Sequence, residues 1–365
     1  MNAVKVMSGP LGAHIVLDGV RYANFGGSSY LGLSGHPDIL EAGAAALRSG
    51  GAGYQFARSY GIASPAHLDA EQEAAHFFGT EAAQFLTGGY AFGAIALHGF
   101  RTGDHVLFLD AWAHMSLMEA AAASGLKTVR YAHLQIEDLR AKLREHLRAG
   151  QVPIVLTDAL FSTIGEVAPL DAINEAVAPY EGVLIIDESH SFGVLGESGR
   201  GALERFPKVG ERAIVGGSTG KAFGVLGGIM PSDAARIERF RQAPAARGAS
   251  VGLPAAAAMA AASFRHVARH PEIVGRLKAN TARIKSSIAK LGMSIGDMDI
   301  PVVALTFETP QEAARVHAGL VDQRIYTLLS DYVGASAGGT IRIGIFADHS
   351  NEQLDGLVAS LASLL

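Results

Sequence analysis

Lys221 stands in the stretch Gly216-Gly217-Ser218-Thr219-Gly220-Lys221-Ala222-Phe223-Gly224, a single amine among small residues, with the mostly apolar run Val225 to Met230 behind it. Burial among such neighbours lowers a lysine pKa, and a neutral ε-amine is what imine chemistry needs. A phosphate-cradling Walker loop is excluded at both ends. It requires glycine where Val215 stands and serine or threonine where Ala222 stands. A solvated turn lysine is the plain alternative, and what weighs against it lies upstream. There the apolar run Val183-Leu184-Ile185-Ile186 ends in Asp187, followed by Glu188-Ser189-His190. Alone, Asp187 reads as a cap or structural carboxylate and His190 as a turn histidine.

With the lysine added, these residues meet the needs of one cofactor, pyridoxal 5'-phosphate (PLP). Its aldehyde takes a neutral amine. Its ring nitrogen takes a carboxylate that keeps it protonated, so that the ring can accept carbanion electrons. Its phosphate takes backbone N–H groups at a helix start, together with hydroxyls. Gly88-Gly89-Tyr90 precedes a helical pattern, and Ser218 and Thr219 carry the hydroxyls.

Strands and helices must alternate to bring these positions together, and the pattern does so. Apolar strands are expected at Ala83–Leu86, His105–Leu109, Thr128–Tyr131, Pro153–Leu156 and Val183–Ile186. Helices are expected near Ala91–Phe100, Met115–Ser124, Ile136–Arg148 and Leu170–Pro179. Short continuous apolar strands separated by helices predict a buried, mainly parallel sheet with ligands at the C-terminal strand ends. Asp18-Gly19 between Ile15-Val16-Leu17 and Val20-Arg21-Tyr22 predicts a hairpin. Pro37 opens a helix, and Ser64 with Pro65 caps and opens the next, which Gly79 stops. Helices from Pro254 and Pro271 lead into a strand (Val302–Phe307), a helix (Pro310–Gln323), strands near Ile325–Leu328 and Thr340–Ile345, and a helix from Asn351. The expected division is a lead-in (1–35), a large α/β domain (36–265) and a small α+β domain (266–365).

Composition excludes several classes. The 365 residues carry a formal net charge of −5, which gives no nucleic-acid surface, and no cysteine, which removes disulfide and thiolate chemistry. No apolar run reaches the roughly 18 residues of a membrane span, and no basic-then-apolar leader opens the chain. A soluble cytoplasmic protein is the expectation.

From about Tyr22 onward the chain resembles the α-oxoamine synthases among the fold-type-I PLP enzymes. The likeness rests on Asp187-Glu188-Ser189-His190-Ser191-Phe192-Gly193-Val194-Leu195-Gly196 with Gly199-Arg200-Gly201, and on Gly220-Lys221-Ala222-Phe223-Gly224. Tyr30-Leu31-Gly32-Leu33, Ser64-Pro65-Ala66-His67, Thr157-Asp158 with Phe161-Ser162, and Arg342 with His349 add to it. The resemblance implies that Lys221 holds PLP as an imine and later moves the Cα proton. By the same likeness Asp187 pairs with the ring nitrogen, His190 binds the phenolic oxygen, Ser162 lies beside the ring and His114 stacks on its face. Gly89, Tyr90, Ser218 and Thr219 would take the phosphate, and Arg342, with Ser29 nearby, the substrate carboxylate.

The implied reaction joins a small amino acid to an acyl-CoA or carrier thioester with loss of carbon dioxide, in a homodimer with a shared active site. An aminotransferase, aldolase or racemase could use the same scaffold, and a non-catalytic partner subunit is the alternative outside enzymology. No metal is implied. Four departures from the family fall around the acyl-donor entrance and the substrate pocket, one of them an N-terminal arm shorter than the family's. Ser28 and Ser29 replace an asparagine before the Tyr-Leu-Gly-Leu signature. Residues 330–339 replace a proline-rich loop, and Val251 stands for a threonine usually offered to the partner's phosphate.

Overall fold

The apolar runs form a seven-stranded sheet. In chain order its strands are β1 (Ala82–Leu86), β2 (His105–Asp110), β3 (Lys127–Tyr131), β4 (Val152–Asp158), β5 (Val183–Asp187), β6 (Ala213–Ser218) and β7 (Gly228–Ser232). The computed structural model that displays them describes residues 4–53, 56–100, 103–249, 251–296, 299–330 and 332–365. Side by side the strands run β1-β7-β6-β5-β4-β2-β3. Continuous apolar strands need cover on both faces, and alternate side chains divide accordingly. Val106, Phe108, Val155, Leu184 and Ile186 enter one core, while Leu107, Leu109, Ile154, Leu156 and Ile185 enter the other.

β6 and β7 flank the Lys221 loop and were not among the expected strands. Gly216, Gly217 and Gly228 break their apolar pattern, as glycines do where another backbone comes close. The pairs β6–β5, β5–β4, β4–β2 and β2–β3 are parallel, and β7 is antiparallel to both β6 and β1. Every strand except β7 therefore points its C-terminal end to one edge.

Helices α1 (Pro37–Gly50), α2 (Pro65–Phe78), α3 (Phe92–His98), α4 (Met115–Ser124) and α5 (Pro254–Arg269) follow the expected starts. The Ser64 hydroxyl accepts the His67 N–H, capping α2 as its sequence predicts. A three-stranded antiparallel sheet of Val302–Thr306, Thr340–Gly344 and Leu328–Ser330, in that order across the sheet, precedes the final helix, Asn351–Leu364. The strand expected near Ile325–Leu328 is in fact two. Ile325–Tyr326 turns away to pair in parallel with Val20–Asn24, which ties the N-terminal hairpin to the C-terminal region. Arg342 lies on the central strand of the small sheet, not on an edge. Among the described residues no helix is long and apolar enough to cross a membrane.

Candidate active site

Asp187 is the last residue of β5, in register with Asp158 of β4 and Gly216 of β6. Two carboxylates one strand apart in a dry edge cannot both ionise freely. Burial above all, and then the charge of Asp187, push the Asp158 carboxyl well above its ordinary range. Its Oδ2 accepts the His114 backbone N–H at 2.8 Å. Burial raises the Asp187 carboxyl too, but Ser189 (N–H to Oδ1, 2.8 Å) and the charges of His114 and Lys221 pull it back. Asp187 is thus the more readily ionised member of the pair.

The Ser189 hydroxyl accepts the Ser218 N–H at 2.9 Å, which ties the Asp187 turn to the end of β6 and so to Lys221. Burial first, then the charge of Arg342, lowers the Lys221 ammonium from its usual value, with Asp187 acting the other way. The loop around the lysine is stitched shut. Thr219 Oγ1 donates to Val225 O at 2.8 Å, and the Val225 N–H donates to Thr219 O at 3.1 Å. Gly224 sits at φ 69° against the chain at Ser34, where a Cβ would come within 2.6 Å of Ser34 N.

This stitching corrects one expectation. Thr219 is fully buried with its hydroxyl engaged, so it is not free to hold a phosphate. Ser218 is the remaining hydroxyl, and its Oγ accepts the Gly220 N–H at 3.0 Å. Gly89 crosses it so closely that a Cβ would lie 2.5 Å from Ser218 N. Tyr90 donates its phenol to Glu119 at 2.7 Å, and its ring lies edge-on to His114 with centroids 6.0 Å apart. A lowered lysine, a carboxylate braced by Ser189 and a close glycine crossing at Ser218 fit the demands of PLP.

A hydrogen-bonded relay links the other residues. Arg342 Nη2 donates to the Tyr30 hydroxyl at 3.0 Å, and that hydroxyl lies 2.9 Å from His190 Nδ1. Burial keeps Tyr30 protonated, so it donates to Nδ1. Burial, with Lys221 and Arg342 next, holds His190 well below the ordinary histidine range. The neutral ring therefore keeps its proton on Nε2, as a donor. His114 caps α4, its Nδ1 accepting from Ser116 N (3.2 Å) and lying 2.7 Å from Ser116 Oγ. Burial lowers it also, and its capping Nδ1 again leaves the proton on Nε2.

Arg342 further donates from Nε to Ser162 O and from Nη1 to Gly27 O, both at 2.6 Å. Ser162 thus meets the arginine through its backbone. Ser29 is turned away, its hydroxyl donating to Leu11 O at 3.2 Å, while Ser28 Oγ lies 3.5 Å from Arg342 Nη2. In this loop it is Ser28, not Ser29, that faces the arginine. Tyr30 and Asp158 were missing from the expected set. His349 pins the same corner, taking the Phe346 N–H at Nδ1 and donating from Nε2 to Asn24 O. Burial pushes its pKa down to about 4, so it remains neutral.

The family described as aminotransferase class I and II matches residues 21–361. The chain belongs to that family. Its relatives include an 8-amino-7-oxononanoate synthase of Thioalkalivibrio sulfidiphilus, 32% identical over 98% of this chain and 92% of the relative. The corresponding synthase of Methylococcus capsulatus is 30% identical over 98% and 93%. A serine palmitoyltransferase of Caulobacter vibrioides is 29% identical over 96% and 87%. A solved structure of SPT with PLP superposes with a TM-score of 0.92 at 25% identity, over 99% of this chain and 92% of that one. All these are α-oxoamine synthases, the group that the sequence resembles, and the fold is that of the fold-type-I PLP transferases.

Proposed function

We propose that the protein is a PLP-dependent acyltransferase that condenses a small amino acid with an acyl thioester, releasing carbon dioxide and leaving an α-amino ketone. The observation that carries this reading is the convergence of Lys221, Asp187, His114 and the Arg342–Tyr30–His190 relay on one sheet edge. When bound, PLP supplies an aldehyde for an amine and a ring that accepts electrons from a carbon acid. Lys221, held low by burial, provides the amine and then carries a proton to or from the substrate Cα. Asp187 keeps its charge toward the ring nitrogen. The Nε2 protons of His190 and His114 are donors at the phenolic oxygen and the ring face. Gly89, the Tyr90 backbone and Ser218 take the phosphate. The family likeness supports a homodimer with a shared active site, working in the cytoplasm.

Arg342 is the carboxylate holder in this reading. One N–H of Nη1, and the Nη2 N–H that makes only the long 3.5 Å contact to Ser28, are left for an incoming carboxylate. Arg342→Ala is expected to weaken amino-acid binding by about 1.5–3 kcal/mol, a factor of roughly 10 to 150. Arg342→Lys should rescue little, because an ammonium lacks the planar fork. An unchanged amino-acid titration in Arg342→Ala would place carboxylate recognition elsewhere.

The acyl side opens at a cleft that includes Trp112, His114, Ile164, His190, Tyr332 and Val333. Trp112 stacks flat on His133, with centroids 4.1 Å apart, and a Cβ at Gly334 would lie 3.3 Å from the indole. The loop that replaces the family's proline-rich segment thus brings Tyr332 and Val333 beside His114. We therefore expect an acyl preference different from that of the 8-amino-7-oxononanoate synthases. A thiol-release assay across short, medium and long acyl-CoAs and acyl carriers tests the function. One donor should release thiol and carbon dioxide in equal amounts. Silence from every donor, with turnover on an amino acid plus a keto acid or aldehyde, would make the protein an aminotransferase or aldolase.

A further inference from the structure

Away from the catalytic cleft, imidazoles and a carboxylate gather where α1 begins and α5 ends. The two helices lie tightly side by side, since a Cβ at Gly43 would come within 2.7 Å of Met259 Cγ. Their packing sets His36 and Asp38, at the start of α1, against His266 in the last turn of α5. One ligand atom from each of these three residues lies within 4.8 Å of the others. The rings of His36 and His266 are 4.1 Å apart between centroids, and those of His266 and His270 are 4.6 Å apart.

Helix capping does not account for the cluster. His36 occupies the N-cap of α1, yet its side chain makes no capping hydrogen bond. Its Nδ1 is buried without a hydrogen-bond partner, a costly state for a polar atom. His266 is held below the ordinary histidine range by burial and then by His36 and His270, with Asp38 and Glu272 acting oppositely. A neutral imidazole with a free lone pair is the form that binds metal.

We propose that His36, Asp38 and His266 bind a divalent transition-metal ion of the zinc class, which bridges the two helix ends. Two imidazoles and a carboxylate suit Zn²⁺, Co²⁺ or Ni²⁺, whereas Mg²⁺ and Ca²⁺ prefer oxygen ligands alone. Bonds of about 2.0–2.1 Å in a tetrahedron put ligand atoms roughly 3.3 Å apart. The exposed Asp38 side chain can turn inward to close the difference. His270 caps the end of α5, and its ring beside that of His266 makes it the nearest further imidazole for the fourth position. Its Nδ1 lies 3.1 Å from Glu272 Oε1, which orients the ring as carboxylates orient metal-bound histidines.

The test titrates PLP-loaded protein, cleared of metal by a chelator and desalted, with ZnCl₂ against a chromophoric competitor, with MgCl₂ as control. One zinc equivalent per chain is expected, together with a rise in melting temperature that magnesium does not give. In the His36→Gln/His266→Gln double variant that equivalent should bind at least about tenfold weaker. PLP absorbance and zinc-free activity should be unchanged. No zinc uptake by the unaltered protein, or an equivalent untouched by the substitutions, overturns the proposal. If the double variant does not fold, Co²⁺ added to the unaltered protein decides. Visible absorption from histidine- and carboxylate-bound Co²⁺, displaced by Zn²⁺ and lost on acidification, supports the site, and its absence rejects it.

Discussion

Lys221→Ala is expected to lower turnover by at least about 10⁴-fold, because a nucleophile and a proton carrier are lost in one substitution. The amine is not replaceable from nearby. His114 and His190 keep their protons on Nε2, and the hydroxyl of Thr219 is locked to Val225 inside the loop. The fold should survive, since the stitching of the loop runs through Thr219, Gly224 and Val225 and not through the lysine side chain. Borohydride reduction followed by denaturation gives a readout independent of turnover. The unaltered protein should retain PLP covalently on the peptide containing Lys221, and Lys221→Ala should release all of it. Full activity in the variant, or cofactor trapped on another lysine, would remove the basis of the functional reading. Inactivity of the unaltered protein together with retained PLP would instead favour a non-catalytic subunit.

Asp187→Asn should cost about 10²–10³ in kcat, the usual scale for removing one preorganised electrostatic partner. An amide oxygen can still accept the Ser189 N–H, so PLP should remain bound while the ring loses its counter-charge. The informative comparison is Asp158→Asn, one strand away. Asp158 is raised further than Asp187 and accepts the His114 N–H, a task that an amide does as well. Its loss should therefore cost far less than that of Asp187. Equal losses from the two substitutions would mean that the charge is shared across the pair and that Asp187 has no separate role.

Much of this site is legible in the order of residues because its parts occur at strand ends. Apolar runs that finish in Asp187 or in Thr157-Asp158 announce a polar edge from the sequence alone. The hydroxyls were not legible at the same resolution. Ser218 and Thr219 are equivalent on paper, and only the backbone path of the loop sends one to the cradle and the other into the protein. Ser28 and Ser29 differ in the same way, by the path of the loop that carries them. Tyr30 and Asp158 were missed for another reason. Their roles depend on partners brought close by sheet register and by chain crossing, Tyr30 meeting a histidine 160 positions away. The two strands around Lys221 escaped notice because their glycines, needed for close backbone approach, erase the apolar signal by which buried strands are recognised.

The arginine that anchors the relay also bears on how the chain comes to be made. Its hydrogen bonds reach back 180 positions to Ser162, 315 to Gly27 and 312 to Tyr30. On a ribosome, Lys221 and Asp187 can meet as soon as β5 and β6 have emerged. Tyr30 must wait for almost the whole remaining chain before its phenol has a donor. Contacts of such separation form late and slowly. A partly synthesised chain would therefore hold the lysine and the aspartate before it could hold a carboxylate, so the site acquires its amine first and its discrimination between substrates last.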